Sequence, residues 1–347
     1  MAEPIKVGVV GLGRIGMSQH KQYYKDHPDQ YTVVAACDLI PERCAEYAET
    51  FGCKTYDNIA DLIADPEVEL VDIATRSCDH YKHAKMAMLA GKDALVEKPF
   101  CQYAWQAEEL VELGNQPGGP HVYVRHNRRF EAGFMKTNEI MDSGILGNVF
   151  EIKLTRNNYQ RRNDWQTIKE FGGGQLLNWG PHIVDHSLYF CGGKYEKMYS
   201  DIRLATAVGD AEDHIKLVFK GVNGRIVDME ISGGAALPTP EYILYGTRGS
   251  LIGKGNTLTL KYLDPNVPLA NIQANPNTPE SGVYGNGETL QWIEETIELP
   301  TDEDTTMRVW DYLYKAIREH KPYPITSAQA VEVVRTIEKA KEGTIFA

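Results

Sequence analysis

The sequence predicts a chain in two parts. The first is a doubly wound α/β unit built on a parallel sheet, and the second an α+β unit with an open, mostly antiparallel sheet. Three observations predict this. The first third alternates short apolar runs with helical patterns, and those runs are continuous, as in strands covered on both faces. After about residue 125 the apolar residues alternate along longer runs, as in strands with one covered and one solvated face. The length, 347 residues, exceeds what one core usually spans. The expected division is 1–125 and 126–347.

The strand-like runs of the first part are 6–10, 32–37, 70–74, 94–97 and 121–124, with helical patterns near 15–25, 41–51, 80–90 and 102–114. Repeated β-α-β units with right-handed crossovers give a parallel sheet whose ligand lies at the carboxyl ends of the strands. In the second part a helix is expected over 133–143, closed by "SGILG". "VFEIKLTR" then puts Phe150, Ile152 and Leu154 on one face and Glu151, Lys153 and Thr155 on the other. "HIKLVFK" and "GRIVDMEIS" alternate similarly, and "EYILYGTRGSLIGKGNTLTLKYL" reads as a meander with glycine turns. A Pro/Asn-rich loop is expected over 264–280, and helices over 304–319 and 326–342, the second capped by Thr326 or Ser327.

Bulk composition narrows the function classes. The chain is 42% hydrophobic and 24% charged, as in a globular protein. A net charge of −12 with no Lys/Arg run argues against a nucleic-acid partner. The six cysteines (Cys37, Cys44, Cys53, Cys78, Cys101 and Cys191) form no C-x-x-C pair, which suits reduced thiols and a cytoplasmic location. The opening "MAEPIKVGVVGLG" has no signal-peptide pattern, and no run of ~18 apolar residues predicts a membrane partner.

Polar signatures gather where the strands of the first part end. "GLGRIG" runs through Gly11, Leu12, Gly13, Arg14, Ile15 and Gly16 directly after the first strand. The first glycine permits a tight turn, the second lets backbone approach a pyrophosphate, and the third allows close helix–strand packing. The helix N-terminus then offers N–H groups to phosphates. The second strand ends at Asp38, 22 residues after Gly16, where an acid can take both ribose hydroxyls and repel a 2′-phosphate. That favours NAD over NADP, with Arg43 as the nearby counter-indication. The third strand ends in "IATRSCDH", giving Thr75 and Arg76, the fourth in "ALVEKPF", giving Glu97 and Lys98, and the fifth in "VYVRHNRRF". Random surface placement would not concentrate such groups on one sheet edge.

These residues carry a resemblance. "GLGRIG", "AGKDALVEKP", "NRRF", "IMDSGILGNV" and "GGGQLLNWGPHIVD" together resemble the Gfo/Idh/MocA oxidoreductases, in order and over nearly the whole chain. The resemblance implies an N-terminal Rossmann domain, and a C-terminal domain that binds substrate and assembles a homodimer or homotetramer. It implies NAD(P)-dependent transfer of hydride between nicotinamide and a hydroxyl or ketone of a sugar, glycoside or cyclitol. It also implies that Lys98 and His182 line the reacting carbon, with Glu97 and His80 near the cofactor.

The residue types suit that chemistry. A histidine can take a hydroxyl proton near neutral pH, and a lysine ammonium can stabilise a developing alkoxide. His182 is therefore expected as general base, and Lys98 as the electrostatic and positioning group. Many members of the family carry Asp four residues before the histidine, where this chain has Asn178. A neutral amide can still bond a substrate hydroxyl, so Asn178 is expected as an anchor. Arg156, Tyr159, Trp165, Asn127 and Asp185 are further candidates for holding a small polyhydroxylated ligand. Asp185 lies about one turn from His182 and is expected to support it. The spacings His80/His83 and His182/Asp185/His186 permit metal ligation, but no metal is expected. Two other readings stay open: a glycoside 3-oxidoreductase that retains and recycles its NAD, and a non-catalytic NAD-binding sensor.

Overall fold

The fold was obtained as a computed structural model and is described for residues 3–278, 282, 284–285 and 288–347. The chain starts with β1 (Ile5–Val10), in which Ile5, Val7, Val9 and Val10 are buried. A glycine loop leads into a helix that opens with a π-helical stretch, Gly16–His20, and continues as α1 (Lys21–Asp26). There follow β2 (Tyr31–Cys37), α2 (Pro41–Phe51), β3 (Lys54–Tyr56), α3 (Ile59–Ala64), β4 (Leu70–Ile73) and α4 (His80–Leu89). The unit closes with β5 (Asp93–Val96), α5 (Ala104–Gly114) and β6 (Val122–Val124). Helix α2 shows why such short helices stop where they do: Pro41 opens it, and Gly52 ends it in the left-handed conformation at φ 66°.

All the strands of this sheet pair in parallel, in the order β3-β2-β1-β4-β5-β6. The strand order runs outward one way from β1 and the other way from β4, and this switch point opens a crevice at their carboxyl ends. The strand β3 and helix α3 carry too little pattern to be anticipated. β3 has only three residues, none of them fully buried.

The second unit contains α6 (Ala132–Asp142), β7 (Val149–Asn157), α7 (Gln175–Asn178), α8 (Gly180–Phe190), β8 (Tyr195–Arg203), β9 (His214–Gly221) and β10 (Ile226–Ser232). It continues with β11 (Tyr242–Gly246), β12 (Gly249–Lys254), β13 (Thr257–Leu263), β14 (Trp292–Glu298), α9 (Asp302–Thr306), α10 (Arg308–Glu319) and α11 (Ser327–Lys341). The strand order is β14-β13-β12-β11-β7-β10-β9-β8, antiparallel except where β7 meets β10. One face carries Ile152, Leu154, Leu217, Phe219, Met229 and Leu244 against α8 and α11. The other face is wet and carries ion pairs such as Lys216–Asp228 at 2.6 Å.

Several expectations need correction. Phe150 does not share the covered face with Ile152. The β7–β11 register skips it, pairing Val149 with Gly246 and Glu151 with Tyr245, so Phe150 is a bulge residue turned out to 47% exposure. The helix expected over 304–319 is two helices that meet at Met307. The edge strands β8 and β14 lack a clean alternation because one or both of their faces are exposed. Residues 264–278 form no strand or helix, while 279 and 280 lie outside the described residues. Thr326 is the N-cap of α11, its hydroxyl accepting from the Gln329 N–H.

Two late helices lock the units together. Helix α11 sends Ala330, Val331 and Val334 into the first core, beside Ala107 and Leu110. It sends Val333, Ile337 and Ala340 into the second core. Helix α10 plants Trp310, fully buried, in another cluster of the first unit, with Val7, Val9 and Tyr31. There it stacks on Tyr23 at 4.8 Å and lies under the Arg125 guanidinium at 4.2 Å. Burying such a ring is worth about 3–5 kcal/mol, judged by the usual cost of truncating it. The edge of the first sheet and the α7–α8 segment of the second unit are thereby held face to face.

Candidate active site

The glycine loop is built for close approach. Gly11 has φ +89°, and a Cβ there would sit 2.6 Å from the Ala74 carbonyl carbon and oxygen, just past the end of β4. A Cβ at Gly16 would sit 2.5 Å from the Gly11 carbonyl oxygen. At Gly13 nothing lies within 4 Å, so its backbone borders open space at the helix start. These three demands match a pyrophosphate cradle: a tight turn, close packing behind it, and bare backbone in front. Asp38 reaches back to this loop. Its Oδ2 accepts from Leu12 N at 2.7 Å and its Oδ1 from Ile40 N at 2.9 Å. Arg43 stands 3.5 Å from the same carboxylate. Arg14 and Ile15 belong to the first helical turn of the loop.

The segments that leave β4 and β5 are tied by His80, whose Nδ1 contacts the Pro99 carbonyl at 2.7 Å and whose Nε2 contacts that of Thr75 at 3.2 Å. The Thr75 hydroxyl meets His83 Nδ1 at 3.1 Å. Arg76 lies over the ring of Phe171 at 4.8 Å, so the segment before α7 rests on the cofactor edge of the first sheet. His80 and His83 thus have protein partners, and burial lowers the pKa of each.

Glu97 is fully engaged. Its Oε1 accepts from His20 Nε2 at 2.9 Å and from Arg125 Nη1 at 2.6 Å, and its Oε2 from Lys98 N at 3.1 Å. Burial alone would raise its pKa, but Arg125 and His20 outweigh burial and hold it well below the usual carboxylate range. Lys98 therefore turns the other way. Its Nζ donates to the Asn178 backbone oxygen at 3.0 Å and to Asn178 Oδ1 at 3.3 Å. Burial, helped by Arg14, Arg125 and Arg128 against the pull of Glu97, pushes its pKa down to about 8.

His182 lies in the first turn of α8, just after Gly180 and Pro181. It is buried, and among the described residues its Nδ1 has no hydrogen-bond partner. Burial, then the Lys98 and Arg128 charges, push its pKa well below the ordinary value, so the ring is neutral. A neutral imidazole beside a lysine with a lowered pKa is a pair able to take a proton and to stabilise an oxyanion.

The other expected site residues divide. Arg156 is partly buried, donates to Glu131 and lies over the Trp179 ring at 5.6 Å. Arg128 covers the same ring at 5.1 Å and donates to Glu131 and Asp302. The Trp179 ring centroid is 6.0 Å from that of His182, so this cluster walls the site. Asn127 is buried in the short turn after β6. Tyr159 is 57% exposed, its backbone bridged to Gly234, and Trp165 starts a short 3-10 turn capped by Asp164. Neither side chain is drawn into contact with Lys98 or His182.

Asp185 departs from expectation. Both its oxygens accept from Arg129, with Nη2 at 2.6 Å, so it pairs with Arg129 rather than with His182 or an open ligand position. His186 stacks on Phe134 at 3.8 Å and its Nε2 faces the Arg128 carbonyl at 3.0 Å, a packing role. Among the described residues no group of three or more His, Cys, Asp or Glu side chains is placed to hold a metal.

Sequence reasoning passed over His20, Asp72, Arg125 and His126. His20 joins Asp72 and Glu97 under the site, and His126 lies 6.4 Å from His182, ring to ring. The only available signal for the first three was polar residues inside otherwise apolar strand and helix patterns.

Comparison with known proteins agrees with this geometry. Residues 5–126 match the family described as "Oxidoreductase family, NAD-binding Rossmann fold", and residues 134–252 match the "GFO/IDH/MocA C-terminal domain". The chain is 24% identical over 353 residues to scyllo-inositol 2-dehydrogenase (NADP(+)) IolW of Bacillus subtilis, covering 99% of this chain and 94% of that one. It is 29% identical over 198 residues to D-glucoside 3-dehydrogenase of Escherichia coli, covering 55% of each. The crystal structure of an NAD-binding protein from Listeria innocua shares the fold, with a TM-score of 0.83 at 20% identity, covering 99% of this chain and 97% of that one. The matched residues take in both the glycine loop and the α7–α8 segment that face each other across the cleft, and the chain belongs to the GFO/IDH/MocA family of NAD-binding oxidoreductases.

Proposed function

We propose that the protein oxidises a CH–OH group of a sugar, glycoside or cyclitol, or reduces the matching ketone, with NAD as its cofactor. The observation that carries this reading is the Lys98–Asn178 contact beside a neutral, buried His182. In the oxidative direction His182 takes the hydroxyl proton. The Lys98 ammonium donates to the same oxygen and stabilises the charge that develops there. Nicotinamide, when bound, supplies the hydride acceptor. Asn178 orients the Lys98 ammonium, and the Trp179 wall with Arg128 and Arg156 shapes the pocket for a polyhydroxylated ring. The inositol and glucoside relatives support the substrate class.

Asp38 supports NAD, since a carboxylate at the ribose end opposes a 2′-phosphate. Arg43, 3.5 Å away, offsets part of that charge, so the discrimination is one of degree. The division of labour proposed is cofactor binding by 1–125, and substrate binding and self-association by 126–347. The outward face of the second sheet, with Phe150 and Ile252 each 47% exposed, is the surface for a homodimer or homotetramer. Six free cysteines suit a reducing cytoplasm, and among the described residues no helix is long and apolar enough to cross a membrane. The test is a panel of glycosides, sugars and inositols offered with NAD or NADP, with reduced nicotinamide as the signal. Substrate-dependent reduction, faster with NAD, is expected. Silence across the panel with bound dinucleotide would favour the sensor reading.

A further inference from the structure

Beneath the cleft lies a group of charges that the reaction does not touch. His20, fully buried, places Nδ1 2.6 Å from Asp72 Oδ2 and Nε2 2.9 Å from Glu97 Oε1. Both partners are carboxylate oxygens. A neutral ring would turn a lone pair on one of them if both are ionised, and the arrangement suits N–H on both nitrogens, an imidazolium. Arg125 adds a second cation 2.6 Å from Glu97, which balances the two carboxylates. The Tyr24 hydroxyl donates to Asp72 at 2.7 Å, and Trp310 meets the His20 ring edge-on at 5.0 Å. The effect of Asp72 and Glu97 outweighs the burial that opposes charging, and the pKa of His20 is raised.

Position gives this group its meaning. His20 sits on the helix that leaves the glycine loop, while Glu97 immediately precedes Lys98 at the end of β5. The ring therefore joins the cofactor loop to the strand end that carries the lysine. Glu97 has Oε1 occupied by His20 and Arg125 and Oε2 by the Lys98 backbone N–H. Its carboxylate is thus kept from the Lys98 ammonium, whose hydrogen bonds run across the cleft to Asn178.

We propose that His20 is a positioning residue for the reaction centre: as an imidazolium it holds Glu97 in the network below, and so leaves the Lys98 ammonium free for Asn178 and the reacting oxygen. This rests on the reading of Lys98 given above, but the readouts below need neither substrate nor turnover, so the two stand or fall separately.

Two measurements test it. In the wild-type protein, nitrogen NMR of the His20 ring at neutral pH should show both nitrogens protonated, and a neutral tautomer overturns the proposal. The second measurement follows acetylation of Lys98 by acetic anhydride against pH, read on its peptide by mass spectrometry. His20→Gln removes a buried positive charge while nearly keeping volume, leaving Glu97 under-compensated beside Lys98. The midpoint of labelling should rise by about one pH unit, a tenfold change in the protonation equilibrium. His20→Gln combined with Asp72→Asn restores the charge balance and should bring the midpoint back toward wild type. A midpoint unmoved in His20→Gln, or raised equally in both variants, overturns the proposal.

Discussion

The Nζ of Lys98 donates to two oxygens of one residue, the backbone carbonyl of Asn178 at 3.0 Å and its side-chain carbonyl at 3.3 Å. The contact crosses from the end of the first sheet to the second unit and so joins the two halves of the site. Both acceptors are neutral. The lysine is oriented without the charge that would fix its proton, and its pKa lies at about 8.

Asn178→Asp puts a carboxylate where the amide now accepts. An opposite charge at that distance favours the ammonium, so the pKa of Lys98 should rise by one unit or more. In the wild type, turnover should fall as pH rises through about 8, because the donating ammonium is lost there. In Asn178→Asp that alkaline limb should move upward by the same amount. A pH–rate profile of the two proteins checks it, and coincident limbs would show that Lys98 does not govern them.

Two glycines of the loop should respond differently. A Cβ at Gly13 meets nothing within 4 Å of the protein, so Gly13→Ala should leave the melting temperature within about a degree while weakening NAD binding tenfold or more. At Gly11 a Cβ sits 2.6 Å from the Ala74 carbonyl at φ +89°, so Gly11→Ala should lower both stability and affinity. Melting curves with a parallel NAD titration separate the two.

Acid should destabilise the fold through a histidine that is buried neutral, His186. His186 in the folded state has its pKa pushed down to about 3, chiefly by burial, against about 6.5 in an unfolded chain. The unfolded chain therefore binds the extra proton first, and stability is lost as pH falls from about 6.5 toward 3. At pH 5 the contribution of His186 is about 2 kcal/mol. His186→Gln loses the stack on Phe134 and should be less stable at pH 7, yet its further loss on going to pH 5 should be smaller by about that amount. Urea unfolding at the two pH values measures the difference.

What could be read in advance followed from local chemistry. "GLGRIG" needs only its own backbone to state its purpose, and "VEKP" placed Lys98 at a strand end. The Asn178 substitution was visible as a missing charge, and the structure shows the amide bonded to the lysine. What could not be read depended on partners far along the chain. His20, Asp72, Glu97 and Arg125 are separated by up to 105 positions, and nothing local in any of them announces the others. Asp185 is one turn from His182, as the spacing implied, but its direction was settled by Arg129 on another element. Phe150 fitted an alternating strand until a one-residue bulge turned it outward. Periodicity tells which face a residue would share if the register stayed regular, and bulges and long-range ion pairs are where that condition fails.

The central claim is that Lys98 and His182 together carry the oxidation of a carbinol. The most direct measurement is reduction of NAD by a panel of glycosides and inositols in wild type, Lys98→Met and His182→Ala, with NAD affinity titrated in each protein. The account predicts substrate-dependent NADH formation in wild type, a loss of about 10²- to 10⁴-fold in each variant, and NAD affinities within a few-fold of one another. Near-normal turnover in both variants would contradict it.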